Sequence, residues 1–594
     1  VNNAIDEIIN SIVTSAHHME CQYLSEGFNE QLNILYDENL SMHIKLLKGV
    51  VSFHLDNEDN KSPFKPCMVF GNRRSADITD LSDQDYESLK VLYGDISDCE
   101  IKARIADVLW VGMKLYQYAL ESIDQYLKSA KRIENWENWC GCYERIERAF
   151  KLGLSLGKSN QKLQDVIDYI EDLIFRINGS DSLYLTGKLI SLLHSQKNGF
   201  DEKYITVIDK NIASSLGAKD YNKARYYLEI KGRCFNLQKK QKAFESVVVQ
   251  IAVLFEKEAM DVHLDTEGAY MSVVYALENA IATYRTIPGK QGDILRLLKE
   301  LEPNKMKLKD GLKCATFNID IEEVIKSIDV SFATCSFLEC IIRLAYIQGI
   351  QTKSQIKNQV ERIHKSSFTH LICSTDIVDS KGKRVVKMPS LICNTNEEYD
   401  AAIEAYMLKE AASNHSFTGS VVIANALKRI KERFPEEELD TGLILDNNIF
   451  VPEDRKIIFE QGLQMGYKGN LIACIHILIP QLENSFREFA SLCGDVVTTL
   501  EDDGKEQAKP LNSIFELINF VEAFDENLLF DLRSLLTEKY GSNMRNRLAH
   551  GLLSTDECES SIALYIWWLS LRLCCMYSKN INQYVNENID IFEK

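Results

Sequence analysis

The 594-residue chain reads as mainly α, with an irregular helical-repeat-like N-terminal platform, a small β-hairpin insertion and a C-terminal helical bundle. Three observations point there. Only 9 prolines and 28 glycines are spread over the whole length, so few residues stop a helix. Apolar residues recur at three- and four-residue spacing over long stretches, the period of an amphipathic helix. The polar breaks between these stretches are short, as in stacked helical hairpins.

Taken in order, residues 1–95 form a helical segment with a long loop. Helical periodicity holds to about Leu55. The stretch 56–83 then gathers Asn57, Pro63, Pro66, Gly71, Arg73 and Arg74 into a solvated, breaker-rich loop. Residues 96–310 form the platform. Ile101, Ile105, Val108, Leu109 and Met113 share one helix face, and Tyr116, Leu120, Ile123 and Leu127 share the next. Further helices are predicted over 136–156, 163–177, 183–193, 221–235, 243–255 and 270–284. No clean 34-residue repeat emerges, so the array is irregular. Trp110, Trp136 and Trp139 fall on apolar helical faces and read as core.

Within the platform, residues 153–159 match GxSxG by letter and end in Gly157-Lys158-Ser159 as a phosphate loop does. Both motifs require a strand leading in, and here a helical run precedes them, so the stretch reads as a helix end and turn.

Residues 311–451 are helical with a β-hairpin near 368–390. Its strands are predicted at 368–373 and 384–386, its turn at 377–383, and Pro389 stops it. The run 435–438 reads as an acidic helix start. Residues 452–594 have the profile of a compact bundle. Helices are predicted at 455–465 and 471–492, with Pro480 bending the second and Gly494 ending it. An acidic turn follows at 501–504, then helices near 511–523 and 528–540. A short helix and a long one, from 557 to about 584, close the chain. Of the adjacent Trp567 and Trp568, one is expected in the core and the other at an interface.

Charge and motif content narrow the function. The formal charge is 68 − 87 = −19, so nucleic acid is repelled on average and any contact with it needs a local basic site. The 16 cysteines include no CxxC pair and have no histidine at metal-ligand spacing, which suits free thiols in a reducing compartment. HExxH and GxGxxG are missing, which removes zincins and dinucleotide enzymes from the front of the list. The first residues carry Asp6, Glu7 and Glu20 without a basic stretch and do not read as a signal peptide. The most apolar stretch, 562–577, is interrupted by Arg572 and reads as a buried core helix. The expectation is a cytoplasmic protein with no membrane span, no cofactor and no metal.

The chemistry-bearing stretch is Gly541-Ser542-Asn543-Met544-Arg545-Asn546-Arg547-Leu548-Ala549-His550-Gly551. Ser542 is a suitable N-cap and Gly551 a suitable C-terminal stop, so the helix is short and His550 sits in its last turn. Unsatisfied carbonyls there favour a protonated imidazole. Asn546 and His550, four apart, share a face. Arg545 and His550 are five apart and diverge by roughly 140° on helical geometry. A second copy of the helix, packed across a two-fold axis, would supply the group that one copy cannot bring round. Upstream, Glu483 and Arg487 are four apart, which suits either an ordinary intrahelical pair or a supporting role facing the motif.

Arg545-Asn546-x-x-x-His550 resembles the R-x₄₋₆-H signature of the HEPN superfamily, helical bundles that include many metal-independent endoribonucleases. The motif's flanks, together with residues 478–483 and Arg487, are similar to the C-terminal domain of a bacterial family of long helical proteins. Residues 103–110 are similar to that family's N-terminal helical region. The resemblance implies an endoribonuclease in which the RNA 2′-hydroxyl attacks the adjacent phosphate. In it His550 is general acid or base. Arg545 holds the phosphate and stabilises the transition state. Asn546 orients His550 or the phosphate, Arg547 and Asn543 contact substrate, and Glu483 and Arg487 support the motif. It also implies a homodimer through the bundle, a role in anti-phage defence or as a toxin, and a regulatory or antitoxin partner. Some HEPN toxins carry a Tyr two residues after the His that a partner enzyme modifies. Here Leu552 stands there, which speaks against that type of antitoxin. A non-catalytic HEPN-like scaffold binding RNA, a nucleotide or a protein is the alternative from another class, as is a helical-repeat adaptor that the bundle merely dimerises.

Overall fold

The computed structural model describes the chain except residues 1, 60, 71–72, 182, 196–201, 267, 312–317, 367–374, 380–381, 392, 394, 502–503 and 589–594. It is 71% helical, and its strands among the described residues form three two-stranded hairpins. Two compact units divide it, Val1–Asn304 and Lys305–Lys594.

In the first unit most helices pack on the next in sequence, because short turns leave each apolar face nearest its neighbour. The starts are set by capping side chains. Asp37, Ser82, Asp98, Asn160 and Asp220 each accept from an amide of the first turn. Helix Cys140–Ser155 ends in a turn with Gly157 at φ +111°, and no strand leads into it. The loop after residue 55 is more ordered than a plain solvated loop. It holds a hairpin of Val69–Phe70 with Arg73–Arg74 and a 3-10 turn Ile78–Asp80, and Arg74 pairs with Asp80 at 2.7 Å. Trp110, Trp136 and Trp139 pack, partly buried, against the core.

Helix Cys99–Met113 carries charge through the core of this unit. Glu100, Arg104 and Asp107 are all buried, and helix Cys140–Ser155 answers with Arg145 and Arg148. Arg145 Nη2 lies 2.5 Å from Glu100 Oε1, and Arg148 grips both Asp107 oxygens at 2.7 Å. Ser129, the Cys21 amide and Tyr126 donate to the same carboxylates. Burial pushes the Glu100 carboxyl up, but the Arg145 guanidinium, the Ser129 hydroxyl and the Cys21 amide outweigh it and hold it at about 2.

The larger core of the second unit draws from Ile328 to Ile581, and so from both sides of residue 452, and a smaller one gathers residues from Ile356 to Ala411 with Phe530. The unit's central helix is Ser561–Tyr577. The stretch Thr555–Tyr577 has the length and composition of a membrane span, yet 61% of its apolar window is buried within the protein. The expectation for the tryptophan pair is corrected. Trp567 and Trp568 are both 0% exposed, donating to the carbonyls of Leu463 and Leu344, so neither stands at an interface. Arg572 is tolerated because its guanidinium reaches the carbonyls of Ala345 and Gln348.

Other boundaries move for local reasons. The long last helix breaks at Ser578, whose hydroxyl caps a new helix, Lys579–Glu587. Helix Leu471–Leu492 runs through Pro480 and stops before Gly494, at φ +89°. The run 435–438 is not a helix start; it trails the end of helix Ala424–Arg433. The hairpin pairs Asp376–Val378 with Arg384–Lys387, so Ile377 and Val378 belong to a strand and not to the turn. The strand expected at 368–373 lies outside the described residues. A further hairpin, Thr498–Leu500 with Glu506–Ala508, flanks the acidic turn.

Candidate functional site

The motif forms helix Met544–Ala549, and its two ends explain its shape. At the start Asn543, not Ser542, is the N-cap; it sits in the left-handed region at φ +52°, which asparagine tolerates better than most residues. Ser542 is used differently: its amide donates to the Ser534 carbonyl at 2.8 Å. That approach requires Gly541, because a Cβ there would clash with the Ser534 carbonyl oxygen. At the far end, the Leu552 amide donates to the Arg547 carbonyl and the Gly551 amide to that of Leu548, with Gly551 at φ +63°. This is a Schellman stop, and it leaves His550 as the C-cap residue.

Met544 is buried and Leu548, one turn on, packs against the same core, which fixes the rotation of the helix. Arg545 then faces helix Leu471–Leu492. Its Nε and Nη2 donate to the two Glu483 oxygens at 2.7 and 2.9 Å, a bidentate pair. Its Nη1 donates to Asn546 Oδ1 at 2.9 Å. Arg487 donates to the same Glu483 at 3.1 Å and to the Lys509 carbonyl at 3.3 Å. Glu483 thus joins the long helix to the motif and is not confined to a pair within its own helix.

Asn546 is fully engaged. Its amide nitrogen donates to Asn543 Oδ1 at 2.8 Å and to the Thr537 carbonyl at 3.3 Å, while its oxygen takes the Arg545 bond. Its side chain therefore braces the helix and makes no hydrogen bond to the His550 ring, the His550 amide bonding only the Asn546 carbonyl. Arg547 turns the other way and bonds Glu557. Burial pushes the Glu557 carboxyl up, but the Ser554 amide and the Arg547 guanidinium outweigh it and hold it below the usual range. Glu557 also closes a capping box with Ser554.

His550 is exposed, as are Gly551 and Leu552, and its ring has no bonding partner among the described residues. Arg545 spends three of its five N–H groups on Glu483 and Asn546, which leaves one on each terminal nitrogen. Arg487 Nε has no partner but is buried, so it is not open to a ligand. The motif thus carries an anchored guanidinium at its start and an unengaged, exposed imidazole at its end. It can take an anion on the spare N–H groups and exchange a proton at His550. No group of His, Cys, Asp and Glu among the described residues is arranged to hold a metal.

The motif residues were legible from their types and spacing, but no local pattern shows that Glu483 meets Arg545. Two partners were missed. Ser554-x-x-Glu557 is a capping-box pattern visible in the sequence, but nothing there connects it to Arg547. The close approach of Gly541 to Ser534 leaves no sequence signal beyond a glycine.

Over residues 3–165 the chain is similar to a family described as a domain of unknown function (DUF7380). That stretch holds the buried Glu100–Arg145 and Asp107–Arg148 pairs and ends long before the motif. No curated protein and no solved structure matches the chain.

Proposed function

We propose that the chain is a metal-independent endoribonuclease whose site is Arg545 and His550. The single observation that carries the reading is the contrast within one short helix: Arg545 is rigidly anchored, while His550 is exposed with an unengaged ring. In-line attack by a 2′-hydroxyl needs a fixed positive group for the phosphorane and a mobile proton carrier, and these two side chains have those properties. The two remaining N–H groups of Arg545 would hold phosphate oxygens, and Arg547 in the same helix and Asn543 at its cap would contact substrate. The products would be a 2′,3′-cyclic phosphate and a 5′-hydroxyl. Because Arg545 and His550 diverge around the helix, the reading includes a homodimer through the second unit, pairing two motif helices over one strand. A cytoplasmic defence or toxin role, held in check by a regulatory or antitoxin partner, rests on the HEPN resemblance alone.

One observation favours a second reading. Glu483 already occupies Arg545 bidentately, as it would in a purely structural pair, which suits a non-catalytic scaffold binding RNA, a nucleotide or a protein. Expression of wild type against His550→Ala separates the two. Growth arrest or RNA cleavage that persists in EDTA and is lost in the variant supports the nuclease. Equal behaviour of the two chains, with RNA binding intact, supports the scaffold.

A further inference from the structure

Helix Ala424–Arg433 carries four cations, and three of them have polar partners. Lys428 lies 3.9 Å from Glu432, Arg429 lies 3.3 Å from Asp329, and Arg433 donates to the carbonyls of Phe332 and Cys335. Lys431 is different. It is half-buried and pairs with no carboxylate among the described residues. Its Nζ stands 5.2 Å from the centre of the Tyr467 ring. Burial pushes its pKa down, because the ammonium has lost water without gaining a counter-charge.

Lys431 borders an open groove of about 510 Å³ in the second unit. Ala424, Leu427, Lys428 and Lys431, three or four apart, turn one face of their helix towards it. Leu471 and Leu564, from helices Leu471–Leu492 and Ser561–Tyr577, complete an apolar lining. Gly466 seats helix Lys456–Lys468 directly on the core, since a Cβ there would clash with the Trp567 ring, so the groove has a fixed floor. Glu432 also borders the groove, but its oxygens lie 3.9 Å from Lys428 and 3.7 Å from Arg429. The rim is therefore net positive in a chain whose formal charge is −19.

We propose that this groove binds a medium-chain monocarboxylate, with its alkyl chain on the apolar lining and its carboxylate on Lys431. Two properties of the occupant follow from two features of the groove. The leucines and Ala424 favour a hydrocarbon chain, each CH₂ withdrawn from water tightening binding by about four-fold. The unmatched ammonium favours a single anionic head, and Leu471 opens a helix whose positive end adds to that preference. The volume lies within the roughly 300–1,000 Å³ of small-molecule sites.

Isothermal titration calorimetry of the full chain with octanoate, hexanoate and octylammonium tests this. Octanoate is expected to saturate at one per chain. Hexanoate, two CH₂ groups shorter, should bind about ten-fold more weakly. Octylammonium, with the same chain and the opposite charge, should also bind at least about ten-fold more weakly. Lys431→Gln should weaken octanoate by about ten-fold and remove its advantage over octylammonium, while Lys431→Arg keeps the charge and the advantage. Ala424→Leu narrows the groove and should weaken octanoate in a chain that retains Lys431. No saturable binding of octanoate overturns the proposal. So does hexanoate or octylammonium binding as tightly as octanoate, or octanoate binding to Lys431→Gln as it does to wild type. None of these readouts depends on RNA cleavage.

Discussion

Glu483 is the hinge of the candidate site, and Glu483→Gln with Arg545→Gln measures how firmly. Glu483 accepts three hydrogen bonds from two guanidiniums, at 2.7, 2.9 and 3.1 Å. The side chains of Glu483 and Arg545 are 14% and 23% exposed, so the pair is neither a surface ion pair nor a sealed one. Exposed pairs couple by about 0.2–1 kcal/mol, and breaking a buried pair costs about 3–5 kcal/mol. A bidentate pair of intermediate burial should couple by about 2 kcal/mol, roughly a 30-fold change in the local opening equilibrium. Urea unfolding of wild type, both single variants and the double variant gives the coupling. Hydrogen exchange over residues 541–551 shows whether it resides at the motif. On the nuclease reading, Glu483→Gln also lowers cleavage by about 10- to 100-fold with RNA binding little changed, because Arg545 loses its orientation. A coupling below about 0.5 kcal/mol, or exchange at the motif unchanged in every variant, would refute the reasoning that Glu483 holds Arg545 in place.

Gly541→Ala places a methyl against the Ser534 carbonyl and should cost about 2–4 kcal/mol, with exchange at 541–551 raised; a fully stable variant counts against the close approach. In the first unit, Asp107→Asn leaves Arg148 charged and sealed beside it, both side chains being 0% exposed, and should lower stability by about 3–5 kcal/mol in urea unfolding. Burial, aided by Arg233, lowers the His194 pKa from 6.5 to about 4, so the unfolded chain binds the extra proton first. Stability from this group is complete above pH 6.5 and is lost as pH falls towards 4, by about 1–2 kcal/mol once partial solvent screening is allowed for. Tm measured across that range should fall less steeply in His194→Gln.

Periodicity and breakers determined the secondary structure wherever the rule is local. Helix Leu471–Leu492 lies where the apolar repeat and its stop residue put it, and Gly551 ends the motif helix because a left-handed stop needs glycine. Asn546 lies on that short helix, whereas His550, expected in its last turn, is the C-cap just beyond it. Contacts between residues far apart in the chain left no such pattern. Asn543 replaced Ser542 as N-cap because Ser534 takes the Ser542 amide. Trp567 and Trp568 are both interior because carbonyls from two different helices accept their ring N–H groups. Glu483 reaches Arg545 across 62 residues of chain, and His415 reaches Asp531 across 116. Composition and spacing settled which side chains are present and which face of a helix they share. Only the packing of one helix on another decided which charges meet, which are sealed from water, and which, like the ring of His550, are left free to react.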